Sequence, residues 1–148
     1  MTLFEQAINA SNNAELNKGN TINEIVTKCK DYVSSERFVD YIKGLLSGDA
    51  AKNREMSIYV SFWAYHSGCS TTHFRCGNWI WKNPDAPEYS YESHTYKGIE
   101  LHDIQIDVVR EMCKLVREAL YEHGFSNVSI YPNSNNLGYA DYKVVVRW

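Results

Sequence analysis

The sequence predicts an α+β fold, in which an antiparallel sheet of about five strands carries one long helix and follows an N-terminal helical hairpin. Apolar residues recur at helical spacing before Gly48 and again between Leu101 and His123. Runs of β-branched and aromatic residues fill the stretch from Met56 to Lys82 and most of the chain after Ser126. The two patterns are segregated along the chain instead of alternating, which argues against a parallel βαβ sheet. With 148 residues, 44% hydrophobic and 22% charged, the chain reads as a single domain over 1–148. Residues 1–48 form its helical part, and 56–148 its hairpin, third strand, long helix and C-terminal hairpin.

Thr2 and Glu5 fit a capping box ahead of Leu3, Phe4, Ala7 and Ile8, a short amphipathic stretch. The polar run Ser11 to Asn20 reads as a loop. Thr21 with Glu24 makes a second capping box, so a helix is expected from Ile22 to about Tyr32. Ser34 or Ser35 caps the next one, whose apolar face is Phe38, Val39, Ile42, Leu45 and Leu46, with Gly48 as its stop. After Lys82, the segment from Asn83 to Pro87 is turn-forming, and Glu88 to Tyr96 reads as a charged edge strand broken by Gly98. Leu101 to His123 is the longest expected helix, with Gly124 suited to its C′ position. Ser126 to Tyr131 and Tyr139 to Arg147 are the last strands, joined by an Asn-rich loop.

The stretch Met56 to Lys82 holds the densest chemistry. A turn at Cys69–Ser70 makes it a hairpin in which Val60 faces Trp79, Phe62 faces Gly77 and Ile58 faces Trp81. Ile58, Val60, Phe62, Trp79 and Trp81 then share one face. His66, Cys69, His73 and Cys76 follow the spacing H-x2-C-x3-H-x2-C. Two thiolates and two imidazoles suit zinc, but the hairpin puts Cys76 on the opposite face from both histidines, so the strand and four-ligand readings compete. A Cys–His nucleophile using Cys69 or Cys76 lacks any nearby oxyanion hole. Arg75 beside Trp79 and Trp81 offers an alternative use of the hairpin, as an aromatic pocket for a small anionic ligand or nucleotide.

No phosphate-binding glycine loop, H-E-x-x-H or G-x-S-x-G motif occurs, and the chain reads as a binding protein, not an enzyme. His94 and His102, flanking Lys97 and Glu100, are a candidate acid–base pair against a background of ordinary solvated residues at a helix start. The four cysteines read as reduced thiols, the start MTLFEQAINAS as no secretory leader, and no run is apolar enough to span a bilayer. A soluble cytoplasmic protein that needs no cofactor, unless zinc, is expected. Between Asp85 and Asp107 six acids stand against one base, Lys97. Asp85, Glu88, Glu92, Glu100 and Asp103, interleaved with Tyr89 and Tyr91, suggest a surface that docks on a basic protein partner, with no direct nucleic-acid contact. That profile is similar in type to small phage-encoded inhibitors of host defence, such as anti-CRISPR proteins, and implies inhibition of a nucleic-acid-handling protein. The high aromatic content also fits self-association.

Overall fold

The computed structural model describes residues 1–64, 71–86 and 94–148. It begins with helix α1, Leu3–Val33, whose N-terminus is closed by Thr2 and Glu5 bonding each other's backbone N–H at 3.1 Å. The expected loop at Ser11 to Asn20 is instead the middle of this helix. Thr21 does not cap a new helix; its hydroxyl donates to the Asn17 carbonyl one turn back, at 2.9 Å. Only the C-terminal part of α1 is buried, through Thr21, Ile25, Cys29, Tyr32 and Val33 at three- and four-residue spacing. Its first four turns stand out from the core, with Leu3, Phe4 and Leu16 exposed. Helix α2, Glu36–Leu45, turns back from Ser35 and buries Phe38 and Ile42. A short helix α3, Asp49–Asn53, leads into the sheet.

The strands are β1 (Glu55–Trp63), β2 (His73–Cys76), β3 (Trp79–Lys82), β6 (Asn127–Asn136) and β7 (Tyr139–Arg147), antiparallel in the order β3-β2-β1-β7-β6. A separate two-stranded ribbon joins β4 (Thr95–Tyr96) to β5 (Ile99–Glu100). A 3-10 turn at Leu101–Asp103 then precedes helix α4, Gln105–Glu122. Of the expected third strand only Thr95 and Tyr96 are in β4, and residues 87–93 lie outside the described residues. Helix α4 packs across β7, β6 and β1, with the C-terminal part of α1 beside it. The layer between them holds Ile58, Val60, Phe62, Phe74, Val108, Met112, Val116 and Val144. Complete burial of each such side chain contributes about 1.5–3 kcal/mol. No helix among the described residues is long and apolar enough to cross a membrane.

The first hairpin departs from its expected register. Val60 faces Cys76 and Phe62 faces Phe74, because the chain turns again at Gly77–Asn78 to make β3. Gly77 has φ 57°, the conformation that a two-residue turn with glycine first requires. Trp79 then pairs with Cys76 and Trp81 with Phe74, so both tryptophans still face the helices as expected. The Asn-rich loop is shorter than expected too. Strand β6 continues through it to Asn136, with a bulge between Pro132 and Ser134.

Candidate functional site

Alternation along β1 sorts its residues. Met56, Ile58, Val60 and Phe62 are buried under the helices, while Tyr59, Ser61 and Trp63 face the other side of the sheet. Pairing with β2 sets Arg75 opposite Ser61 and His73 opposite Trp63. Pairing with β7 sets Asp141 on the other flank of Ser61 and Tyr139 beside Trp63. The Trp63 and Tyr139 rings meet edge to face, 4.4 Å between centroids. Tyr41 reaches in from α2 over Gly77, and the result is an open pocket of about 440 Å³. Arg75, Ser61 and Asp141 cross its floor in one row, and Tyr41, Tyr59 and Trp63 supply aromatic walls.

The polar groups have defined states. Arg75 donates from Nε to the Gly77 carbonyl at 3.0 Å, and its terminal amino groups have no bonding partner among the described residues. Burial raises the Tyr41 phenol, with Arg75 opposing, so it is a protonated donor at neutral pH. His73 Nδ1 lies 3.1 Å from the Thr71 carbonyl. The Thr71 hydroxyl lies 3.2 Å from the same nitrogen, so the carbonyl accepts when Nδ1 carries the proton and the hydroxyl can donate when it does not.

Burial depresses the His73 pKa below its ordinary 6.5, helped by the Arg75 and Lys82 charges and opposed by the bond to Thr71. The folded protein therefore binds less of a proton here than the unfolded chain. Its contribution to stability is complete above pH 6.5 and is lost as the pH falls below that value toward the folded-state pKa. We expect the Tm to drop between pH 7.5 and pH 5.5, and the drop to be smaller in His73→Gln. Identical pH slopes for the two proteins would contradict this assignment.

The residues expected to act together are divided by the sheet. Trp79 and Trp81 cannot line a pocket with Arg75, because they point to the helix side. Trp81 is buried edge-on against Tyr96, and Trp79 stacks on Tyr32 with centroids 6.2 Å apart. The aromatic partners of Arg75 are instead Tyr59, Trp63 and Tyr41. His73 and Cys76 also lie on opposite faces of β2, so they do not meet at one ion. Cys76 is a free, fully buried thiol, and hydrogen bonding with the Cys29 thiol together with burial pushes its pKa well above the ordinary range. His66 and Cys69 lie outside the described residues.

Of the acidic set, Glu88, Tyr89, Tyr91 and Glu92 also lie outside the described residues. Asp85 accepts the Lys97 backbone N–H at 2.9 Å. Glu100 accepts from the Thr95 hydroxyl at 3.2 Å, and Asp103 is exposed in the 3-10 turn. Two of these three acids thus organise local turns. The pocket residues Tyr59, Ser61, Trp63 and Asp141 were not singled out from the sequence, although Tyr-x-Ser-x-Trp on a strand marks one polar, aromatic face. No family model matches the chain, and no curated protein or solved structure is significantly similar to it.

Proposed function

We propose that the protein is a small-ligand-binding module, and that its ligand is a nucleotide held on the outer face of the sheet. The observation that carries this reading is Arg75, fixed by one bond to Gly77 with its terminal amino groups unengaged among the described residues, at the floor of an aromatic pocket. A guanidinium held this way presents paired donors suited to a phosphate. Tyr59 and Trp63 offer rings against which a planar base can pack. Asp141 supplies an acceptor for a base amino group. Arg75 and Asp141 are two strands apart, so their backbones lie roughly 10 Å from each other, comparable to the span from base edge to phosphate in a mononucleotide.

Isothermal titration with purine and pyrimidine mononucleotides tests the reading. Binding is expected for wild type, and Arg75→Ala should weaken it tenfold to a hundredfold, the loss of about 1.5–3 kcal/mol from a charged hydrogen bond. The variant's Tm should stay near that of wild type, since the side chain is exposed. Absence of binding by any nucleotide at millimolar concentration, or equal affinity in Arg75→Ala, would overturn the proposal.

A further inference from the structure

A second group of side chains, unconnected with the pocket, gathers where the β4–β5 ribbon enters α4. Lys97 and Gly98 both have positive φ, 51° and 77°, which turns β4 sharply back on β5. The backbone N–H of Leu101 then bonds the His94 carbonyl at 2.8 Å and closes the ribbon. This fold-back brings His94, Glu100 and His102 together, with one ligand-type atom from each lying within 4.8 Å of the others. The two imidazole rings are 4.6 Å apart, edge to face. His94 Nδ1 is 3.5 Å from Glu100 Oε2, within ion-pair range but not a hydrogen bond.

Two features separate this group from ordinary surface polarity. The Nδ1 atoms of both histidines are buried and have no hydrogen-bond partner among the described residues, a state that costs free energy unless something else engages them. Meanwhile the other oxygen of Glu100 accepts from the Thr95 hydroxyl, which orients the carboxylate as the outer partners of metal ligands do. Gly138 lies beside His102. A Cβ there would sit 3.4 Å from His102 Cε1 and 3.6 Å from Nδ1, in ordinary van der Waals contact with the ring.

We propose that His94, Glu100 and His102 form a binding site for a divalent transition-metal ion. Two imidazoles and one carboxylate, without a thiolate, suit Zn²⁺, Co²⁺ or Fe²⁺ and leave coordination positions open to water or a further ligand. Bonds of about 2.0–2.2 Å in tetrahedral geometry place ligand atoms roughly 3.3 Å apart. The His94–Glu100 pair is already near that separation. The other separations, none above 4.8 Å, close by small side-chain movements at the half-exposed Glu100 and at the histidine rings.

The test is titration of the metal-stripped full chain with Co²⁺, followed by d–d absorption, and with Zn²⁺, followed by calorimetry and Tm. One equivalent is expected, with a rise in Tm. Glu100→Ala, at an exposed position that leaves the core intact, should weaken binding at least tenfold, and His94→Gln should remove the cobalt spectrum. Arg75→Ala should titrate as wild type, which keeps this result separate from the nucleotide reading. Failure to bind one equivalent would overturn the proposal. Unchanged binding in both Glu100→Ala and His94→Gln would overturn it too, as would a site lost only in Cys69→Ser, which would put the ion elsewhere.

Discussion

Gln105→Leu is expected to destabilise the protein by about 2–4 kcal/mol, although it puts an apolar side chain of similar size into a site that is only 5% exposed. Gln105 sits in the first turn of α4, and its amide is the only link from that helix into the tip of the β6–β7 hairpin that the described hydrogen bonds provide. Nε2 donates to the Asn136 carbonyl at 2.7 Å and Asn135 Oδ1 at 2.8 Å, with the Tyr139 carbonyl at 3.2 Å. Oε1 accepts the Gly138 N–H at 3.2 Å. Leucine removes both ends of this network while leaving its partners in place, and each orphaned buried group costs about 1–3 kcal/mol. Asn135 and Asn136 are close to water and recover part of the loss. Urea denaturation measures the effect, and hydrogen exchange at the Gly138 amide locates it. A change below about 0.5 kcal/mol would show that the network is dispensable.

Gly77→Val is expected to cost about 3–5 kcal/mol and to abolish the nucleotide binding proposed for the outer pocket. Two penalties combine. The position has φ 57°, where a β-branched residue is strained by about 1–3 kcal/mol. A Cβ would also lie 2.7 Å from Tyr41 Cε1 and 3.0 Å from the Tyr32 hydroxyl, and both rings are packed. Tyr32 cannot move without losing its bond to Asn78 and its stack on Trp79. Tyr41 must therefore shift, and Tyr41 is a wall of the pocket. Denaturant unfolding gives the first effect and nucleotide titration at low temperature the second. A variant with wild-type stability would show that the turn relaxes freely, contrary to this packing.

The first hairpin shows how a correct face assignment can accompany a wrong register. Placing one turn at Cys69–Ser70 pairs Val60 with Trp79, whereas the structure pairs Val60 with Cys76 and Cys76 with Trp79. Two turns replace one, and period-two alternation returns the tryptophans to the helix side. The Gly77–Asn78 dipeptide was the available signal for the second turn. The α4 periodicity and the last strand were legible because burial on one side enforces their patterns. The middle of α1 was not. From Ser11 to Asn20 every residue but Lys18 is exposed, so no apolar stripe marks it, and Thr21 resembles a cap while bonding as an interior threonine. Both candidate sites were partly hidden for a related reason. Arg75 comes to share a pocket with Asp141 only after strands pair, which local spacing does not encode; His94, Glu100 and His102 stand close in the sequence, but only the fold-back of the ribbon gathers their ligand-type atoms.

The bulge at Pro132 has a consequence for how these molecules behave at high concentration. Strand β6 is the long outer edge of the sheet, ten residues that would otherwise offer a continuous row of unpaired backbone groups to a second chain. Pro132 has no N–H to give, and the register shift between it and Ser134 bends the strand near its midpoint. An incoming strand therefore meets two short, misaligned segments in place of one template. This edge of the sheet is thereby a poor template for strand addition, through the same hairpin that anchors α4.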